Sequence, residues 1–355
     1  MIRCPLERLH RQIDLILAAW GMPDGPRSAA VDVMTETDLR GIDSHGLAML
    51  PIYDRYRREG RLDVAAVAER VFAKGSVAVF DARGGLGHYP TALATDFVTQ
   101  AAVEHGLAAA VVRHSHHFGA AGIYADRAAR AGLVALVTSS GITPQVVPTF
   151  AAAPMFGTNP LAFAAPAGRN PPFVLDMATS TVAAGKLNVA ALNGRGIPVG
   201  WAVDQTGQPV TDPTTSISQR FLTPLGATPE LSSHKGYGLA AMVEILSTML
   251  AGATYCAVRD SKLGQGAMPD IGHFVLALDP SVFRPDGGFI HDVDEMIDSL
   301  HAAPRQDSKR AVLVAGEREF ATRQDRLAAG IPIPDELCRQ VNEVCNASGA
   351  AYILT

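Results

Sequence analysis

The sequence predicts a mixed α/β (α+β) fold, on three observations. Helical patterns fill roughly the first sixty residues and recur further on, short β-branched or apolar runs begin after Gly60, and the two kinds of segment do not alternate cleanly. At 355 residues the chain is about twice the length of a usual domain, so one large or two medium compact units are expected. Hydrophobic residues at 48% against 18% charged supply a core and leave too little charge for disorder.

From Met1 to Gly21, Leu6, Leu9, Ile13 and Leu17 recur against Glu7, Arg8, Arg11 and Asp14, which predicts an amphipathic helix and not a signal peptide. Gly21-Met22-Pro23-Asp24-Gly25-Pro26 breaks it, and a second helical stretch runs from Arg27 to Leu39. Strand candidates are Ser76–Asp81, Ala108–Arg113, Leu133–Ser139, Phe173–Met177, His273–Asp279 and Arg310–Ala315. Between some of them lie helical patterns at Thr91–His105, Gly122–Ala131 and Gly236–Ala251. Gly, Pro, Thr and Asn are dense from Gly141 to Pro172 and from Asn193 to Pro229, and such stretches read as binding loops. Gly330-Ile331-Pro332-Ile333-Pro334 reads as a stop signal, after which Leu337, Val341 and Cys345 predict a last helix over Asp335–Cys345 that packs back on the body.

Several classes are disfavoured. The formal charge is -5 and no long Lys/Arg run appears, which argues against a nucleic-acid platform. Cys4, Cys256, Cys338 and Cys345 form no CxxC pair, so neither a disulfide framework nor a thiolate metal site is suggested, and a reducing cytoplasm is expected. The longest apolar stretch, Leu239 to Ala251, is interrupted by Glu244 and is too short to span a bilayer, so no membrane association is expected. No GxGxxG follows a strand; Gly84-Gly85-Leu86-Gly87 is near in texture, but its spacing and Pro90 do not fit, so a non-Rossmann architecture is expected. GxxxxGK[ST] and GxSxG are absent too.

Four motifs could carry chemistry. Arg40-Gly41-Ile42-Asp43-Ser44-His45-Gly46 ends a helical pattern and offers a histidine suited to acid/base work; alternatively Gly41 stops one helix and Ser44 caps the next. His114-Ser115-His116-His117-Phe118-Gly119-Ala120-Ala121-Gly122 follows a strand. It reads as a metal site through the histidines, as one acid/base His117 beside a backbone left open to a cofactor, or as a capped turn with solvated histidines. Phe156-Gly157-Thr158-Asn159-Pro160-Leu161, with Asp176-Met177-Ala178-Thr179-Ser180 and Gly185-Lys186, offers N–H groups, hydroxyls and a charge for a ligand, although turn formation alone explains Gly157, Asn159 and Pro160. Ser233-His234-Lys235-Gly236-Tyr237-Gly238 opens a helix and is either an anion site or a Gly-rich helix start.

Taken together and in order, GIDSHG, SHHFGAAGIYA, GTNPLAFAAP, DMATS with GK, GWAVD with TDP, and HKGYGLA resemble the malate/L-lactate dehydrogenase family, collinearly from about residue 30 to residue 330. That family also looks like the home of ureidoglycolate and sulfolactate dehydrogenases, 2,3-diketogulonate reductase and the reductases of cyclic imino acids. The resemblance implies a homodimer in which residues 1–70 with 285–355 form a helical, dimerising part. Residues 71–284 then form a mainly antiparallel or mixed sheet domain that binds NAD or NADP. It implies interconversion of a small 2-hydroxy acid and its 2-oxo acid by hydride transfer. Reduction of a cyclic imino acid is the alternative within the family, and a metal-dependent lyase or hydrolase using His114, His116 and His117 is the rival outside it.

The same resemblance assigns residues. Ser44, His45 and His117 surround the reacting carbonyl, His45 being favoured for proton transfer, with Lys186 coupled to it. Tyr53, Thr158 and Asn159 lie on the substrate side. The cofactor falls to His117, Phe118, Gly119, Ala120 and Ala121, to Ser140, to Asp176, Met177 and Ala178, to His234 and Lys235, and to Gly316 and Glu317. No resident metal is expected. One departure concerns the substrate: relatives tend to carry Arg three residues after the SHG glycine, where it can clamp a carboxylate, and here that position is Met49, so Arg55 or Arg57 is expected to take over or the substrate to differ. A second is His114, where asparagine is common.

Overall fold

The computed structural model describes residues 1–192, 194–215 and 221–355. The chain opens with β1 (Ile2–Cys4), α1 (Leu6–Ala19), α2 (Asp24–Leu39) and, past a 3-10 turn at Leu47–Met49, α3 (Leu50–Arg58). There follow β2 (Glu69–Lys74), β3 (Val77–Asp81), α4 (His88–His105), β4 (Leu107–Ser115), α5 (Ala121–Arg130), β5 (Val134–Ser139), β6 (Leu161–Ala165) and β7 (Phe173–Met177). Next come α6 (Ala184–Leu192), β8 (Ala202–Val203), β9 (Pro209–Val210), α7 (Ser233–Glu244), α8 (Arg259–Leu263) and β10 (Ile271–Leu278). The chain closes with α9 (Pro280–Phe283), α10 (Gly288–His301), α11 (Glu317–Ala329), β11 (Ile331–Ile333) and α12 (Asp335–Ser348).

Both chain ends contribute to one helical body. The α1 stripe Leu9, Ile13, Ile16 and Leu17 is fully buried in one cluster with Met34 of α2, Leu50 and Tyr53 of α3, and Val341 and Cys345 of α12. The ends are also tied by backbone, since β1 pairs antiparallel with β11, Ile2 facing Ile333. The expected stop signal holds, since the helix ends at Ala329 with Gly330 past it, and the residues that follow form a strand in which Ile331 and Ile333 point into the core and Pro332 between them does not.

The middle of the chain forms a seven-stranded sheet in the order β2-β3-β4-β10-β5-β6-β7. Every neighbouring pair is antiparallel except β3 and β4, which run parallel and are joined by α4 as a crossover. The mainly antiparallel sheet, with no dinucleotide-binding βαβ series, agrees with the expectation. One face is covered by α4 and α5 through a core rich in alanine (Ala94, Ala102, Ala110, Ala125, Ala135, Ala162), whose short side chains let helix and sheet approach closely. On the other face the end of α7 continues as a π-helical turn, Ile245–Met249. Its approach to β10 is so close that a Cβ on Gly272 would stand 1.7 Å from the Ser247 carbonyl oxygen.

A small third cluster, Val146, Val182, Leu187, Ile197, Ala202 and Leu222, holds together the loops expected over Gly141–Pro172 and Asn193–Pro229. The first of these also contains β6; residues 193 and 216–220 of the second lie outside the described residues. The expected strand at Arg310–Ala315 is not formed. That apolar run meets β7 through one backbone bond, Val174 N–H to the Ala315 carbonyl at 3.1 Å, and leaves Leu313 exposed.

Candidate active site

The loop carrying Ser44 and His45 begins where α2 stops. Gly41 adopts φ +79°, a left-handed conformation open to glycine at little cost, and reverses the chain just past the helix end. The chain then folds back onto α2 itself. The buried carboxyl of Asp38 accepts the Leu47 N–H at 2.7 Å, and a Cβ on Gly46 would come within 2.2 Å of that carboxyl carbon. Burial pushes Asp38 up to about 8; the Leu47 N–H opposes the shift, Asp43 adds to it and Arg326 draws it back. Ser44 is exposed and caps no helix, since the N-cap of the 3-10 turn is Gly46; its Oγ lies 2.7 Å from His45 Nδ1.

The second loop leaves β4 at Ser115. His116 is buried, and its Nδ1 accepts the His117 N–H at 2.8 Å. His117 Nδ1 receives the Gly119 N–H at 3.3 Å and lies 2.6 Å from the Tyr53 hydroxyl. A backbone N–H only donates, so Nδ1 is an acceptor and the proton of the neutral ring belongs on Nε2. The rings of His45 and His117 have centroids 5.2 Å apart. Burial lowers the pKa of both; for His117, driven well below its ordinary value, His45, His88, His116 and His273 add to the shift. Both rings are therefore neutral bases around neutral pH.

Beside His45 lies a cavity of about 590 Å³, within the range of small-molecule sites; His117 adjoins the His45 ring and is not part of the cavity wall. Ser44 and His45 form one wall. Gly119, Ala120 and Ala121 form another, leading into the N-terminus of α5. Thr158, Asp176, Met177 and Ala178 close the sheet side, and Lys186 and Gly316 the remaining sides. Asp176 Oδ2 accepts the Gly122 N–H at 2.7 Å, and a Cβ on Gly122 would stand 2.9 Å from that oxygen. Burial raises this carboxyl to about 6, against the pull of Gly122.

Other expected residues stand elsewhere. Tyr53 is fully buried behind His117, and Phe118 is stacked between Tyr124 and His273 with its carbonyl accepting the Tyr124 hydroxyl. Ser140 is buried beside Gly272. Asn159 accepts the Gly141 N–H and donates to the Ala240 carbonyl and Glu244, so it ties α7 to the sheet and stands off the cavity wall. His234 and Lys235 are exposed in the first turn of α7, outside this cavity. Glu317 accepts the Val314 N–H and pairs with His301 at 2.7 Å.

Two of the alternatives find no support. The histidines do not converge on a metal: His114 is exposed with Nδ1 2.9 Å from Asp81, His116 and His117 spend their Nδ1 atoms on local bonds, and among the described residues the group spaced for an ion is the exposed His291, Asp292 and Glu295. Nor does Arg55 or Arg57 replace the missing arginine. Arg55 sits over Tyr56 near Glu59, and Arg57 is bound to Asp54 over Trp20; neither lines the cavity. Met49 itself is buried in the helical core.

Arg40, Arg318, Glu319 and Phe320 also line the cavity, a role that the sequence motifs do not assign to them. Arg40 had a signal, lying in the quoted loop motif, yet its guanidinium is spent on Asp126 at 2.6 Å and Glu36 at 2.8 Å. Arg318, Glu319 and Phe320 follow directly on Gly316-Glu317.

The family model for malate/L-lactate dehydrogenase matches residues 4–342. The malate dehydrogenase of Pyrococcus horikoshii is 33% identical over 349 residues, covering 98% of this chain and 96% of that protein. The (2R)-3-sulfolactate dehydrogenase (NADP(+)) of Chromohalobacter salexigens is 34% identical over 311 residues, 87% of this chain and 88% of the relative. The crystal structure of malate dehydrogenase from Entamoeba histolytica superposes with a TM-score of 0.92 at 26% identity, covering 99% of each chain.

Proposed function

The chain belongs to the malate/L-lactate dehydrogenase family, and from that premise we propose that it interconverts a small 2-hydroxy acid and its 2-oxo acid, with NAD or NADP as hydride carrier and His45 as acid/base. The observation that carries this reading is the approach of His45 and His117, 5.2 Å apart, at a cavity that His45 lines and one side of which is built from glycine and alanine. The dinucleotide fits that side. Gly119 and Gly122 leave the backbone bare and Ala120 and Ala121 cover it with no more than a methyl, Gly122 has no room for a side chain against Asp176, and Met177, Ala178 and Gly316 extend the surface. Those residues would hold the cofactor, which supplies the hydride acceptor or donor.

The two histidines divide the remaining work. With Nδ1 of His117 held as an acceptor, its Nε2–H donates to the substrate oxygen and orients it. His45, steadied through Nδ1 by Ser44, takes the hydroxyl proton in oxidation and returns it in reduction. Lys186, which lines the cavity, supplies the positive charge for the substrate carboxylate, as a point charge and not a bidentate clamp.

Assembly as a homodimer belongs to the same reading, and the exposed Ile245, Met249 and Leu250 at the end of α7 support it. Four buried free cysteines support a reducing compartment such as the cytoplasm, and among the described residues no helix is long and apolar enough to cross a membrane. The test is oxidation of NADH and NADPH against a panel of 2-oxo acids and cyclic imines. Turnover of a 2-oxo acid is expected; turnover of cyclic imines alone would transfer the reading to imino-acid reduction, and none at all would overturn it.

A further inference from the structure

We propose that a second chamber beyond Lys186 is an anion subsite, in which Arg195 selects substrates bearing another anionic group at the end remote from the reacting carbon. The chamber has a volume of about 680 Å³ and opens on the first cavity: Asp43, Ser44, Ala183 and Lys186 line both. A molecule whose reacting carbon lies beside His45 can therefore extend its far end past Ser44 and Lys186. What it meets there is Arg195, Gly196, Pro198 and Trp201.

Charge decides what that far end is. Among the described residues Asp43 is the one carboxylate in the chamber wall, and Arg326 already neutralises it from the other side. Among the described residues Lys186 and Arg195 have no carboxylate partner; the Lys186 ammonium instead lies 5.8 Å from the centre of the Trp201 ring. With Lys186 taken up by the carboxylate beside the reacting carbon, Arg195 remains as the uncommitted cation against one compensated acid, a net positive field that attracts an anion and disfavours a cationic or purely apolar group. The backbone that carries Arg195 is also fixed in place. The Arg195 N–H is bonded to the Ala190 carbonyl at 2.9 Å, and Ile197, buried in the third cluster, is bonded to the Thr211 carbonyl at 2.8 Å, so the turn bearing Arg195 is anchored on both sides. The planar guanidinium suits a carboxylate, sulfonate or phosphate, each of which offers two oxygens to its fork.

This inference rests on the dehydrogenase reading for the reaction but not for binding, so both are measured. Oxaloacetate and pyruvate differ by a single carboxylate, and kcat/KM for the two is compared in the wild type and in Arg195→Met. The wild type is expected to favour oxaloacetate by about tenfold or more, and the variant to lose that factor through KM while changing pyruvate less than about twofold. An equal loss for both substrates, or a wild type that favours pyruvate, would overturn the proposal. Binding is read separately from the shift in melting temperature with malate and with lactate at equal concentration. A larger shift with malate that vanishes in Arg195→Met supports the subsite even where no turnover is found, in which case the dehydrogenase reading alone fails; equal shifts refute the subsite.

Discussion

The Tyr53 hydroxyl lies 2.6 Å from Nδ1 of His117, joining a fully buried residue of α3 to the loop after β4 across 64 positions of sequence. Burial holds Tyr53 well above its ordinary pKa, so the phenol keeps its proton and donates it to the imidazole nitrogen. Tyr53→Phe removes that donor and leaves only the longer Gly119 N–H. Turnover is expected to fall about tenfold, the equivalent of one hydrogen bond. Because a donor to Nδ1 favours the neutral ring, its loss is also expected to raise the His117 pKa. Nitrogen-15 NMR of the His117 ring checks both the Nε2–H tautomer and the direction of this change.

His45→Ala and His117→Ala are each expected to lower kcat by roughly a hundredfold or more, the scale of a lost acid/base or orienting group. If His45 alone moves the proton, the pH dependence of turnover vanishes in His45→Ala and survives in His117→Ala. Steady-state rates over a pH series separate the two roles.

The lowered histidine pKa values set the sign of that pH dependence. Oxidation of the hydroxy acid requires a neutral imidazole, which burial preserves below the ordinary value of 6.5. Its kcat/KM is therefore expected to hold as pH falls through 6.5 and to drop only at lower pH. Reduction requires the imidazolium, so its kcat/KM rises as pH falls. Initial rates in both directions between pH 5 and 9 would expose the opposite trend if the assignment is wrong.

Asp38 gives a prediction about stability. Its folded pKa of about 8 lies above the unfolded 3.8, so the contribution it makes is complete below 3.8 and is lost as pH rises through about 8. Asp38→Asn can still accept the Leu47 N–H through its amide oxygen and is expected to keep its melting temperature up to pH 9, where the wild type loses some. Asp38→Ala strands that N–H and is expected to cost about 1–3 kcal/mol at all pH values. Calorimetry at pH 6 and pH 9 measures both effects.

Local signals in the sequence were read correctly where one element carries them. Gly41 past the α2 pattern, the β-branched runs of β3, β5 and β10, and the bare Gly119–Gly122 stretch are all visible in the chain itself. Elements with no buried stripe were not: β2 is exposed along its whole length, and α11 buries no residue completely. Conversely, the apolar run at Arg310–Ala315 looks like a strand because composition cannot show whether a neighbouring strand is available to pair with it. The site divides in the same way. Ser44, His45 and His117 stand in glycine-flanked motifs, whereas the Asp38 anchor is a buried carboxyl that composition does not reveal and the Lys186–Arg195 chamber depends on the Ser44 loop meeting a segment far away in sequence.

The most direct measurement is the fate of a deuterium at C4 of the nicotinamide. With NADH or NADPH deuterated on each face in turn, the account predicts that one of the two transfers its deuterium to C2 of the 2-hydroxy acid, giving a product one mass unit heavier. It also predicts that this transfer is lost in the His45→Ala, His117→Ala double variant. Product without label from either face, or transfer undiminished in the double variant, would contradict it.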